Sequence, residues 1–165
     1  MDIISHGLWG GVAFGRKNKR EFWWAFGLGV MPDLFSFGIF TAMRILGLAS
    51  GPDWSNGLPS SDAIPAYVHC LYNVTHSLII FLIIFLVIAI FRRKIFFPMF
   101  AWGLHILMDI PTHSSQFFPT PFLWPLSTYK ISGIPWSHPI IFYPDIILLA
   151  SLYFWFFVYK KYFKK

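Results

Sequence analysis

Apolar residues in this chain fall in long, nearly unbroken runs rather than in the 3.6-residue stripe of a soluble amphipathic helix. The clearest run, SLIIFLIIFLVIAIF, lies within Tyr67–Phe91 and predicts a transmembrane helix. Glu21–Leu48 is also long enough to cross, with Met31-Pro32-Asp33 expected to kink or break it, because proline removes a backbone donor. Ile95–Ile110 predicts a further crossing, turned back from the preceding helix by the short Arg92-Arg93-Lys94 loop, and Ile140–Tyr159 predicts the last. Ile3–Gly15 is apolar and glycine-rich but too short for a full bilayer, so it reads as a half-crossing or a packed helix. Ala49–Ala66 is a loop by its Gly, Pro, Ser, Asn and Asp content. Pro111–Pro144 holds seven of the twelve prolines together with Trp124 and Trp136, and cannot be one regular helix. Aromatic rings in such a segment suit the membrane interface. The expected fold is all-α: a polytopic membrane helical bundle with four to five membrane-embedded helices, built as one domain over residues 1–165. No internal repeat is visible.

Composition sharpens this picture. Of 165 residues, 56% are hydrophobic and only 12% charged, about half the charged fraction of a soluble domain. A water-soluble globule of this size could not bury so much apolar side chain, and disorder is excluded as well. The single cysteine, Cys70, allows neither an intramolecular disulfide nor a cysteine-based zinc site. A net charge of +6 would ordinarily suggest nucleic acid, but the distribution points elsewhere. Eleven of the thirteen basic residues sit in three clusters, Arg16–Arg20, Arg92–Lys94 and Lys160–Lys165, each bordering an apolar run. That is the positive-inside pattern, and it places all three in the cytoplasm. MDIISHG at the N-terminus lacks the basic region of a cleavable leader.

Polar residues inside apolar helices are costly and usually functional. Their depths follow from counting residues from the nearest basic cluster at about 1.5 Å each. His6 comes at roughly 15 Å, Asp33 at about 20 Å, His76 at about 24 Å, His105 and Asp109 at about 16 and 22 Å, and Asp145 at about 22 Å. Residues from five segments thus converge on one layer in the outer half of the membrane. His105 and Asp109 are four apart and share a helical face, where HxxxD can offer an imidazole nitrogen and a carboxylate oxygen to one cation. An intrahelical hydrogen bond is the alternative. Pro111 is expected to end that helix just after Asp109, leaving His113 on the exit turn, able to bend back. Taken singly, His6 and His76 also read as structural or capping residues. Asp33 and Asp145, each following a proline, read as helix N-caps. His69 is an interface or ligand-supporting histidine, and His138 a loop residue.

A mixed His/Asp set without cysteine suits Zn²⁺, with Mn²⁺ or Fe²⁺ as alternatives. The donors exceed what one tetrahedral ion needs, and Asp109 could bridge two ions. Such a pair lowers the pKa of bound water and stabilises attacking and leaving oxygens in phosphate-ester hydrolysis. Arg44 and Lys130 lie outside the basic clusters and are expected on the non-cytoplasmic side, where either could hold a phosphate or merely touch headgroups.

ISHG, then MPD, then THSL opening a hydrophobic helix, then HxxxD followed by Thr-His resemble the YdjM-like membrane-bound metal-dependent hydrolases, which are in turn similar to zinc-dependent phospholipase C and the S1/P1 nucleases. The resemblance runs to about residue 113. It implies His6, Asp33, His76, His105, Asp109 and His113 as metal ligands, with Asp109 bridging. Leu71 and Tyr72 stand where many relatives carry His-Arg, Phe35 stands where a second acid often follows PD, and the HxxxE pair of a third metal site is missing. One or two zinc ions are therefore expected.

The expected function is a multi-pass hydrolase of the inner (cytoplasmic) membrane, with its site toward the non-cytoplasmic side. Its substrate would be a membrane lipid or lipid-linked phosphate, with no nucleic acid involved. Asp33, His105 and Asp109 are its candidate catalytic residues. Two alternatives stay open: a metal or proton transporter using the intramembrane His/Asp cluster, and a non-catalytic scaffold in which the same layer is interhelical glue.

Overall fold

In a computed structural model of the chain, which describes residues 1–52, 55, 57 and 59–159, helices are the only regular elements. The lysine cluster at 160–165 lies outside the described residues. Seven α-helices follow in order: α1 (Ile3–Phe14), α2 (Lys19–Asp33), α3 (Ile39–Ile45), α4 (Ala66–Thr75), α5 (Leu78–Arg92), α6 (Phe100–Thr112) and α7 (Pro139–Tyr153).

Among the described residues, two helices are long and apolar enough to cross a membrane: Lys19–Ile45, which joins α2 to α3, and Pro139–Phe157, which extends α7. The α4–α5 pair makes a third if it is counted as one bent span. Four to five crossings are more than these helices supply. α6 has 13 residues, about 20 Å of helix against a core of about 30 Å, because the first part of the expected Ile95–Ile110 crossing is spent on a 3-10 turn at Phe97–Met99. The expected Tyr67–Phe91 helix is two helices bent by 58° at His76 and Ser77.

Pro32 does not break its helix. A π-helical turn over Leu34–Gly38 follows it and carries α2 into α3, and the Ser36 hydroxyl donates to the Pro32 carbonyl at 2.9 Å. Pro111 likewise sits inside the last turn of α6 instead of ending it. The proline-rich segment lies across that end: Gly133, Ile134 and Trp136 donate backbone N–H bonds to the carbonyls of His113, Pro111 and Thr112 at 2.7–3.0 Å. Any residue with a Cβ would collide at Gly133, where it would come within 2.1 Å of the Pro111 oxygen.

α1 lies against α2, and both pack on α6. Small residues permit the close approach. A Cβ on Gly29 would fall 2.6 Å from the His6 carbonyl oxygen, and one on Gly10 would fall 2.7 Å from that of Ala25. Two apolar clusters flank the polar layer. Phe40, Val68, Tyr72 and Phe118 form one, and Phe81, Met99, Trp102 and Ile106 the other. The break between α4 and α5 is satisfied by the proline-rich segment and by α6. Leu78 N–H donates to the Phe122 carbonyl at 3.0 Å, the Ser77 hydroxyl to that of Trp124, and the Trp102 indole to that of Thr75 at 2.7 Å.

Candidate metal centre

The α-helix ends assemble the centre. Asp33 is the last residue of α2, His76 follows α4 at the bend, and His105 and Asp109 come from successive turns of α6. One ligand atom from each of these four lies within 4.8 Å of every other. His105 Nε2 is 3.1 Å from His76 Nε2 and 3.2 Å from Asp109 Oδ2. His76 Nε2 is 3.4 Å from Asp33 Oδ1 and 3.5 Å from Asp109 Oδ2. Asp33 Oδ1 is 3.9 Å from His105 Nε2. His76, His105 and Asp109 are buried, while the Asp33 side chain keeps 19% of its exposure.

The outer ring nitrogens are already committed. His105 Nδ1 is 2.7 Å from the Gly29 carbonyl oxygen, so that nitrogen carries a hydrogen. His76 Nδ1 is 3.1 Å from the Tyr72 carbonyl oxygen and 3.0 Å from Thr75 Oγ1. In the neutral rings, donation from Nδ1 leaves a lone pair on each Nε2, the tautomer of a metal-ligating histidine. Two such nitrogens then face each other and two carboxylate oxygens with no donor among them. Asp109 Oδ2 is buried and has no hydrogen-bond partner. Lone pairs in this arrangement repel unless a cation sits between them, so the group could hold a metal ion.

The other Asp109 oxygen serves a different set. His6 Nε2 lies 2.8 Å from Asp109 Oδ1, the Met1 amine 2.5 Å and His113 Nδ1 3.4 Å. The His6 ring stacks on His105 with centroids 3.7 Å apart, and its buried Nδ1 has no partner. His6 and His113 thus stand around Asp109 but outside the four-atom group.

Beside the centre lies a cavity of about 320 Å³, with Asp33 and His113 on its wall and Phe37, Tyr72, Phe117 and Trp136 among the remaining lining. Neither Arg44 nor Lys130 reaches this cavity; Lys130 lines a separate pocket with His69 and Asn73, behind Tyr72 and Phe118.

Three sequence expectations change here. Asp145 is no N-cap: α7 starts earlier, at Pro139, and its N-cap is His138. Asp145 instead accepts from the Ser5 hydroxyl at 2.7 Å and the Trp9 indole at 2.6 Å, tying α7 to α1, and is not one of the four grouped ligand residues. Asp33 closes a helix turn rather than opening one, and no side-chain cap bond is formed by it. His138 is a helix cap rather than a plain loop residue. His69 stacks on Phe118 at 4.6 Å. Of the residues that orient the ligands, Gly29 and Tyr72 carry no sequence signal, since a backbone carbonyl can come from any residue, whereas Thr75 acts through its hydroxyl and is the Thr of the THSL motif.

Comparison with known proteins gives no match: no family model, curated protein or solved structure is similar to the chain.

Proposed function

We propose that the chain is a membrane-embedded, metal-dependent hydrolase, a phosphoesterase acting on a lipid or lipid-linked phosphate. The observation that carries the metal is the spacing of the four ligand atoms. A tetrahedral Zn²⁺ at about 2.0–2.1 Å from its N and O ligands sets ligand–ligand separations of roughly 3.3 Å. The five separations given above run from 3.1 to 3.9 Å. Zinc fits this donor set, and Mn²⁺ or Fe²⁺ accepts the same atoms. When bound, the ion supplies Lewis-acid polarisation of a phosphoryl oxygen and a more acidic water.

His76, His105 and Asp109 are the fixed holders, each buried, the two imidazoles tied to backbone carbonyls and Asp109 to His6. Asp33 is the member that faces the cavity, and its 3.9 Å separation from His105 is the longest of the five given. With four protein ligands, water would join as a fifth, an expansion zinc permits, and the other Asp33 oxygen would accept its proton. His6 and His113, on Asp109 Oδ1, would complete a second ion, with Asp109 bridging. The aromatic cavity wall suits an apolar substituent beside the scissile phosphate. The motif order shared with YdjM-like hydrolases supports the same reading. The site lies at the bundle end opposite the Arg16–Arg20 and Arg92–Lys94 turns, which favours a multi-pass protein of the cytoplasmic membrane with its site on the non-cytoplasmic side.

The test is metal analysis of the purified protein and of His105→Ala and Asp109→Ala, with phosphate release from lipid phosphates measured before and after chelation. Near-stoichiometric metal, lost in both variants together with activity, is expected. Stoichiometric metal in both variants would sink the site. Metal-independent release, or uptake of metal into proteoliposomes without hydrolysis, would sink the reaction.

A further inference from the structure

At the opposite end of the bundle, the α1–α2 turn and the α5–α6 turn meet around a second pocket of about 420 Å³. Arg20 comes from the first basic cluster, and Arg92 and Lys94 from the second, although 72 residues separate Arg20 from Arg92 along the chain. Glu21 is the single carboxylate in this lining, and it is shared with Lys17, whose Nζ lies 3.9 Å away. Three like charges around one small space are therefore poorly compensated and call for an anion.

The rest of the lining is amphipathic. Asn18 adds a polar group, while Trp24, Ile95 and Phe96 form an apolar wall. The Arg92 guanidinium sits 4.8 Å over the Phe96 ring, and that ring meets Trp24 edge-on at 6.0 Å. Trp24 is 51% and Ile95 57% exposed, so the wall continues outward onto the apolar flank of the bundle. A free phosphate would use the cations alone. An anionic phospholipid would use both the cations and the wall.

We propose that this pocket binds the phosphate headgroup of an anionic phospholipid, with Arg20, Arg92 and Lys94 on the phosphate and Trp24, Ile95 and Phe96 against the first part of the acyl chains. About thirteen residues of α2 separate it from Asp33, roughly 20 Å, so it is distinct from the metal centre. It requires the chain to reside in a membrane but does not depend on the hydrolase reading.

The test titrates the full chain, in a neutral detergent, with phosphatidylglycerol and with phosphatidylcholine of the same chain length, counting bound lipid by native mass spectrometry. Two double variants remove equal charge from the same two clusters. Arg20→Gln with Lys94→Gln strips the pocket, whereas Arg16→Gln with Arg93→Gln strips residues outside its lining. Phosphatidylglycerol is expected to bind at least tenfold more tightly than phosphatidylcholine. The pocket pair should weaken it about 25-fold, from about fivefold per charge, and the outside pair less than about threefold. Arg92→Gln alone, losing about fivefold, keeps the test open if the double variant fails to fold. Equal losses in both pairs would mean a diffuse surface field and overturn the pocket. Equal binding of the two lipids would overturn it too. Displacement of phosphatidylglycerol by millimolar inorganic phosphate would overturn the lipid in favour of a soluble anion.

Discussion

Asp33 and His105 touch the same space but have different surroundings. His105 is locked by the Gly29 carbonyl on one side and by the group on the other, whereas Asp33 is partly exposed to the cavity. Removing His105 should therefore abolish metal binding. Asp33→Asn keeps an oxygen at the site but loses the base. It should retain metal within about tenfold in affinity while turnover falls about 10²–10⁴-fold, the usual scale for a lost general base. Metal content and phosphate release measured on one preparation separate the two effects. His6→Ala should leave the ion held by Asp33, His76, His105 and Asp109 in place, because His6 bonds Asp109 through Oδ1 and stacks on the His105 ring without being one of the four grouped ligand residues. If two ions bind, stoichiometry should fall to one, as read by metal analysis.

Between elements, close approach of α1 and α2 sets where the ligands fall. Gly29 does two jobs: its missing side chain admits the His6 backbone, and its carbonyl orients His105. Gly29→Ala would press a methyl group to 2.6 Å from the His6 oxygen. Overpacking of this kind costs about 1–3 kcal/mol, and the shift of α2 that relieves it would draw the residue 29 carbonyl off His105, a weakened support that lowers metal affinity by up to about 10–100-fold. Thermal unfolding and chelator competition should record both. The HxxxD pair was legible because i and i+4 share a face whatever the rest of the fold does. The bend at His76 was not. SLIIFLIIFLVIAIF reads as the heart of one long helix with Tyr67–Thr75, and the bond partners of the break, Phe122 and Trp124, lie over forty residues away. Pro32, expected to kink or break its helix, and Pro111, expected to end one, both stay inside helices. A π-helical turn two residues on accommodates Pro32, a local device that residue type does not announce, while the distant backbone of Gly133–Trp136 meets the helix end at Pro111.

Across the whole molecule, α7 joins the bundle without joining the centre. Asp145 fastens it to α1 through Ser5 and Trp9, and Tyr153 adds a bond from its hydroxyl to the Leu8 carbonyl at 2.9 Å. Asp145→Ala would strand the Trp9 indole N–H and destabilise the fold by about 1–3 kcal/mol. Metal stoichiometry should stay unchanged, because α7 supplies none of the four ligand residues. Calorimetry in detergent, paired with metal analysis, checks both halves. Metal itself should act as a global stabiliser: at a free concentration about 1,000 times Kd it adds about 4 kcal/mol, so chelation should lower the melting temperature of the parent and leave His105→Ala unmoved.

Hydrophobic run length and the scarcity of charge were sufficient to determine that the chain is helical and greasy, since both are sums over residues that no contact can alter. Depth counting from the basic clusters likewise ranked His6, Asp33, His76, His105, Asp109 and Asp145 on one layer, because helix rise per residue is fixed. Tertiary structure decided which of these share a cation-sized space and which stand behind it, how many helices are long enough to cross, and that Asp145 clamps helices together instead. Those outcomes depend on azimuth, bend and carbonyl partners, which arise only when distant segments pack against one another.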